Sequence, residues 1–466
     1  GGDPVRSADD TAGLAIATKL REDIDRMKVP AAPRVVGIDP ATIHDRAAFT
    51  ASTLAMGRGD LEGAGEIAAD LLRRYPGHPE AAYTLALVGY WHYNAIDQAV
   101  TLLEDVVKAR PAFALAWYNL GFLRQRRGED LAAMRHYAEA LKHDPTHVGA
   151  HVNLGNAKLG MGDIDGALAC YAEATRHPTT DSLAIYNRAI AHLLTGDYAK
   201  GWADYEARWN TPLFRSKVKL PPVPLWDGSD PQPGQRLLVW AEQGYGDTLM
   251  AWRYAYQLFE RFRGRVTWAV QPALVSLLGQ GADEPVVSYE DDVPAADLLI
   301  PTMSLPHRLG MPQAGAPYME RPRYSVEGRK RVGYVWAGDP AHEGDARRST
   351  RLEDWADLHA MAGIDWVNLQ VGRGSDFVPA SWAETATLVA GLDLVITVDT
   401  AVAHLAGAMG VPVWILLPAV PDYRWGLTGD RTVWYDSARL YRQAQHGQWA
   451  PVFQRVRDDL AAWVSA

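Results

Sequence analysis

The sequence predicts two fold classes in series: a solenoid of paired helices, then an α/β region built on parallel sheets. Three observations carry this. Residues recur at a spacing of 34 through the first half, as Asn119, Asn153 and Asn187, as Gly128, Gly162 and Gly196, and as Tyr137, Tyr171 and Tyr205. Beyond residue 226 the pattern changes to short β-branched runs alternating with longer helical stretches. Within that second half, the segment Val395-Ile-Thr-Val-Asp399-Thr400-Ala401-Val-Ala-His404 and its continuation to Val413 reads as strand, sharp turn, small-residue helix and strand, which is a βαβ unit.

A 34-residue helix–turn–helix period is the tetratricopeptide signature. Ala116-Trp117-Tyr118-Asn119-Leu120-Gly121 suits the first helix of such a unit, and Ala133, Tyr137, Ala140 and Pro145 suit its second. Looser copies over 46–79 and 80–113 bring the count to about five, giving a repeat region over 46–210 behind a helical extension over 1–45. Each unit leaves an apolar face for its neighbour to cover, so the array stacks into a curved solenoid with a concave surface. Its alanines, glycines and tyrosines fit core packing. The asparagines need another reason, because an amide is a poor core group and a mediocre helix former. At this position of a tetratricopeptide array, Asn119, Asn153 and Asn187 would face the groove and could hold an extended peptide backbone without reading its sequence. Bonding between neighbouring helices is the equal alternative.

The bulk composition narrows the partners. With 46 Lys and Arg against 56 Asp and Glu, the net charge of -10 lacks the basic face that nucleic acid demands. Cys170 is the single cysteine, so no intrachain disulfide forms. The longest apolar run, Val411 to Leu417, falls far short of the roughly 20 residues of a membrane span. A cytoplasmic protein without a membrane span is the expectation.

A proline-rich connector over 211–226 marks the boundary. Strands are expected at Arg236–Trp240, Arg265–Val270, Leu298–Ile300, Arg331–Trp336, Trp366–Gln370, Leu394–Val398 and Val411–Leu417, with helical patterns between most of them. This suggests two Rossmann-like domains facing a cleft, over 227–328 and 329–450. The last stretch, 451–466, has the pattern of an amphipathic helix that packs back across the cleft.

The chemistry-bearing residues sit where these strands end. After the first strand comes Ala241-Glu242-Gln243-Gly244-Tyr245-Gly246-Asp247. Its glycines permit a tight turn. Asp247 then either caps the next helix or lies in the ligand crevice, where it could take a proton from an acceptor hydroxyl. Gln243 and Gly244 belong to the same acceptor-side turn. A long loop over 337–350 carries Arg348 and Ser349, and a guanidinium there can grip phosphate with two parallel bonds. At the Asp399 turn, Thr400 and Ala401 open a helix whose free N–H groups suit an anion such as a diphosphate. Asp399 either caps this turn or touches the sugar, and His404 lies one turn in, on the same face. Gln370 and Arg424 complete the donor-side set. Asp-x-Asp pairs of the kind that hold a metal occur at Asp23/Asp25 and Asp163/Asp165, in helical or repeat-turn settings. No metal and no cofactor are therefore expected.

Residues 227–466 resemble the two-domain GT-B glycosyltransferases of the heptosyltransferase-like branch, on the Gly246-Asp247 turn and the Asp399-Thr400-x-x-x-His404 turn. The whole chain resembles bacterial tetratricopeptide-containing glycosyltransferases, similar in layout to the protein O-GlcNAc transferases. The resemblance implies an inverting, metal-independent transfer of a sugar from a nucleotide-sugar donor. Asp247 would be the base, while Arg348, Thr400, Ala401 and His404 would hold the diphosphate. It also implies a protein or peptide acceptor in the repeat groove. A glycan or lipid-linked acceptor, or a non-catalytic scaffold, would use the same architecture. One departure stands out: where related turns often carry Asn, this chain has Asp339, a carboxylate beside the expected phosphates.

Overall fold

The computed structural model describes residues 54–55, 57–176, 182–312, 315–321, 328–342 and 344–465. The expected helical extension over 1–45 lies outside them. The described residues up to 158, together with 169–176, form one compact unit, and 159–168 with 182–465 form another.

Paired helices build the repeats: α1 (Leu61–Arg74), α2 (Pro79–Trp91), α3 (Ile96–Ala109), α4 (Ala114–Arg126), α5 (Asp130–His143), α6 (Val148–Gly160) and α7 (Ile164–Thr175). The 34-residue register has two physical sources. Gly128 and Gly162 take left-handed φ values of +76° and +83°, where a side chain would be strained, and so end one helix and turn the chain into the next. Gly121 and Gly155 make room for a large neighbour. A Cβ on Gly121 would lie 2.7 Å from the Tyr137 ring, and one on Gly155 would lie 2.5 Å from Tyr171. Both tyrosines are fully buried, with hydroxyls bonded to Gln125 at 2.8 Å and Asn156 at 2.7 Å. The tyrosine and glycine of these two repeats make one small-against-large contact, and Ala189 takes the glycine's position in the next.

In the second unit, α8 (Ser182–Thr195) and α9 (Tyr198–Tyr205) precede a 3-10 turn over Glu206–Asn210. The proline-rich connector is not structureless throughout. Pro212, at a helix start that needs no N–H, opens a short helix to Lys217. At the connector's far end, the N–H of Trp226 donates to Leu299 O at 2.7 Å, so this residue already adds to the first sheet's edge.

That sheet is parallel throughout, with strands β1 (Leu237–Trp240), β2 (Val266–Val270), β3 (Val286–Ser288) and β4 (Leu298–Pro301) in the order β3-β2-β1-β4. Helices α10 (Tyr245–Ala251) and α11 (Ala255–Phe262) follow β1, and α12 (Pro272–Leu278) follows β2. A second parallel sheet has the order β6-β5-β7-β8-β9, from β5 (Lys330–Val335), β6 (Ile364–Asn368), β7 (Leu394–Val398), β8 (Val413–Leu417) and β9 (Ala438–Arg442). Its helices include α13 (Trp382–Ala390), α14 (Ala401–Ala408) and α15 (Ala450–Ser465). Every residue of β7 and β8 is buried, as expected for central strands of a sheet covered on both faces.

The sequence reading found seven strands and missed β3 and β9. Helix α15 corrects a second expectation. Val452, Val456 and Leu460, four residues apart on one face, are fully buried beside Trp355, Leu358 and Tyr441. Its contacts run to β9 and to residues 352–359, so it covers its own sheet instead of reaching back across a cleft.

Candidate active site

Both sheets direct loops to one place. From β1, residues Ala241–Gly244 lead into α10, and Asp247 lies in that helix's first turn. Its Oδ2 accepts the N–H of Gly244 at 3.0 Å, while Oδ1 is ion-paired with the Arg424 guanidinium. Asp247 thus serves as the helix cap and also faces the second sheet's residues. Between them stands Gly246. A Cβ there would lie 2.7 Å from His404 Cδ2 and 3.5 Å from Ala401 Cα. The starts of α10 and α14 touch, and only a glycine permits the approach.

The turn before Asp247 is held by residues that the sequence reading did not single out. Gln243 donates from Nε2 to the Tyr205 hydroxyl at 2.9 Å, and its carbonyl accepts from Gln271 at 2.7 Å. Glu242 is buried and accepts from Arg208 at 3.1 Å, Thr302 at 2.7 Å and the N–H of Met303 at 3.2 Å. Burial pushes the Glu242 carboxyl up, against the pull of Arg208. Arg208 is itself fully buried, against the rings of Tyr205 and Trp209. Their sequence signal was faint. Charged and aromatic residues closing a repeat look like a solvated helix end, and only the fold shows that they support a loop.

At α14, Thr400 is the N-cap residue in extended conformation, but its hydroxyl bonds Thr397 Oγ1 at 3.0 Å instead of capping. The amides at the start of this helix therefore lack a side-chain acceptor, which is the arrangement that suits an anion. Asp399 does not cap the helix either. It is 8% exposed, and its carboxyl is raised from 3.8 to about 6, first by burial and then by Asp422, with Arg348 and Arg424 opposing. His404 is buried, stacked on Trp425 at 5.2 Å between ring centroids, and bonded through Nδ1 to the Tyr435 hydroxyl at 2.8 Å. Burial, then Arg424 and Arg253, hold its pKa far below the ordinary value, so the ring is neutral near pH 7.

The 337–350 loop adds the second guanidinium. Arg348 rests on Gly338, where a Cβ would lie 2.6 Å from its terminal nitrogen, and its buried Nε has no hydrogen-bond partner. The nearest carboxylate to that Nε, Asp345, stands 3.6 Å away and is also paired with Arg373. Ser349 is fully engaged, accepting from the N–H of Gly338 at 2.9 Å and donating to Asp345 at 2.7 Å. Gln370 is also engaged, since Oε1 accepts the N–H groups of Trp336 and Ala337 and Nε2 donates to Val371 O. Ser349 and Gln370 thus help to shape the loop. Asp339 is exposed and accepts the N–H of Ala341 at 2.9 Å, so its carboxylate closes its own turn.

Asp247, Arg348, Asp399, His404 and Arg424 thus interact as one cluster. The asparagines of the repeats have partners of their own. In the first unit, Asn119 donates to Tyr83 Oη and Leu115 O, both at 2.9 Å, and Asn153 donates to Tyr118 Oη at 3.4 Å. Asn187 lies on α8 of the second unit. A carboxylate facing a helix start and two guanidiniums can handle a proton on one side and an anion on the other.

Residues 94–148 and 131–199 match family models described as tetratricopeptide repeat, and residues 379–448, spanning α13 to β9, match Glycosyltransferase family 9 (heptosyltransferase). The chain joins tetratricopeptide repeats to a glycosyltransferase family 9 segment. Among curated proteins it is similar to Protein FlbA of Caulobacter vibrioides, 26% identical over 318 residues covering 57% of this chain and 52% of the relative. The chain therefore spans about half the length of that relative. Among solved structures it is similar to MamA of Desulfovibrio magneticus RS-1, at 18% identity over 37% of this chain and 97% of that one, with a TM-score of 0.30. YrrB, described as a TPR protein with an unusual peptide-binding site, matches at 18% identity over 37% of this chain and 91% of that one, with a TM-score of 0.30. Among the described residues, no helix is long and apolar enough to cross a membrane.

Proposed function

We propose that the chain is an inverting, metal-independent glycosyltransferase of GT-B layout, taking a sugar from a nucleotide-sugar donor to a hydroxyl of a protein acceptor. The observation that carries this reading is the meeting of Asp247 with the start of α14 across Gly246. This contact supports a reading in which Asp247 supplies the base and the start of α14 the anion site for one sugar donor.

In this mechanism Asp247 accepts the acceptor's hydroxyl proton as that oxygen attacks the anomeric carbon. The bond to the diphosphate breaks on the opposite face, so one displacement inverts the centre. Charge growing on the leaving diphosphate is met by the α14 amides and by Arg348 and Arg424. His404, being neutral, contributes a hydrogen bond and shape, not charge.

The test pairs binding with turnover. Melting temperatures are compared with and without uridine, guanosine and adenosine diphosphates and cytidine monophosphate, because a ligand of the folded state raises them by mass action. One nucleotide should stabilise the chain, and its sugar derivatives then serve as donors. Asp247→Asn should keep the nucleotide shift and lose transfer. No shift from any nucleotide would favour a non-catalytic scaffold.

On the acceptor side, the bonds from Asn119 and Asn153 to tyrosine hydroxyls favour a second reading, in which these amides clamp neighbouring repeats. A glycan acceptor would then need no amide ladder. Unchanged transfer by Asn119→Ala and Asn153→Ala would select this reading.

A further inference from the structure

Away from that cluster, the second unit contains a cavity of about 310 Å³ along the seam where the helices of the first sheet meet α13. One wall is α11 with the 3-10 turn Trp252–Tyr254 before it, presenting Trp252, Tyr256 and Phe259. The other wall combines α13 with residues 318–320, which are tied to α14 through the N–H groups of Tyr318 and Met319 on Ala408 O. Three carboxylates lie at its lining, Asp283, Glu284 and Glu320, and among the described lining residues there is no Lys or Arg.

Glu284 is the telling residue. It is 8% exposed, yet it is in no ion pair among the described residues, and the hydrogen bond on its carboxylate comes only from its own backbone N–H. An unpaired carboxylate at such depth is costly, and buried charges are ordinarily paired. Asp283 beside it adds repulsion, and burial raises its carboxyl further. Aromatic faces opposite a carboxylate form the environment that attracts an organic cation, through cation–π contact on one side and a charge-assisted bond on the other.

We propose that this cavity binds a small organic cation, an ammonium or guanidinium group on an apolar body, with the cationic head on Glu284 and the body against Trp252 and Tyr256. Because its walls come from both sheet regions, the occupant holds their helices together. The site shares no residue with the Asp247 cluster and does not depend on the transferase reading.

The experiment uses tryptamine as probe and tryptophol, which has the same indole body with a hydroxyl replacing the ammonium, as control. Tryptamine at millimolar concentration should raise the melting temperature of the intact chain by about 2 °C or more, and tryptophol should not. Glu284→Gln should fold with a melting temperature no lower than the parent's and lose the tryptamine shift. Glu320→Gln, on the exposed rim, should weaken it and serves if Glu284→Gln does not fold. No shift with tryptamine, an equal shift with tryptophol, or a shift undiminished in these variants would overturn the proposal.

Discussion

Arg424 is ion-paired with Asp247, a residue of the other sheet region, and also holds Asp422 at 2.6 Å. Both carboxylate oxygens of Asp247 are thereby engaged, one by Arg424 and one by the Gly244 amide. In this arrangement the expected base is held by groups of its own chain. An entering diphosphate would compete for Arg424 and release Asp247, so the donor should bind before the acceptor can react. Asp247→Asn removes the competitor and should tighten binding of the stabilising nucleoside diphosphate about threefold to tenfold. Isothermal calorimetry reads this without any transfer assay, and weaker binding by Asp247→Asn would refute the competition.

Removing Arg424 should act in the opposite sense. Arg424→Ala leaves Asp247 and Asp422 without their ion-pair partner and takes from Asp399 one of its two guanidiniums, and breaking one partner of a buried pair costs roughly 3–5 kcal/mol. Denaturant unfolding should show that loss, and nucleotide affinity should fall in the same variant. Full affinity with full stability would show that Arg424 serves neither the ion pair nor the donor.

Gly246 tests the approach of the two helix starts. Gly246→Ala introduces a methyl 2.7 Å from His404 Cδ2, and the His404 ring cannot easily yield because Trp425 and Tyr435 fix it. Overpacking of this kind costs roughly 1–3 kcal/mol, and nucleotide affinity should drop as α14 shifts. A variant with parental stability and affinity would mean that the contact is loose in solution.

Asp399 predicts a pH dependence with a definite sign. Its folded-state pKa of about 6 exceeds the ordinary 3.8, so the folded chain holds a proton that the unfolded chain has released. Its contribution to stability is full below pH 3.8 and is lost as pH rises to about 6. A diphosphate beside Asp399 adds negative charge and favours the protonated form further. Nucleotide binding should therefore take up protons near pH 7, measurable as a buffer-dependent enthalpy, and Asp399→Asn should reduce that uptake.

Much of this fold was legible because period and turn chemistry are local. The 34-residue register came from Gly128, Gly162, Tyr137 and Tyr171, whose roles are fixed by φ and by one repeated contact. β7 and β8 announced themselves as apolar runs, whereas β3 has three residues and β9 mixes Arg439 and Arg442 with apolar positions. The candidate site was legible at Asp247, Thr400 and His404 for the same reason: each stands where a strand gives way to a helix. The engagement of Gln370, the pairing of Arg424 with Asp247 and the support from Tyr205 and Arg208 depend on residues far apart in the chain, which no local pattern encodes.

That support gives the last prediction. Arg208 and Glu242 are both fully buried as side chains and 3.1 Å apart beneath the Gln243 turn; Arg208 also pairs with the part-exposed Glu206 at 2.7 Å, while Arg208 is the ion-pair partner of Glu242. Arg208→Met alone strands Glu242 and should cost roughly 3–5 kcal/mol, whereas Arg208→Met with Glu242→Leu replaces the pair by apolar groups and should cost much less. The cycle separates stability from function. If the pair only supports the fold, the double variant recovers both stability and nucleotide affinity. If it orients the turn that carries Asp247, the double variant recovers stability while transfer stays impaired. A double variant no more stable than Arg208→Met would show that the ion pair is not the source of the loss.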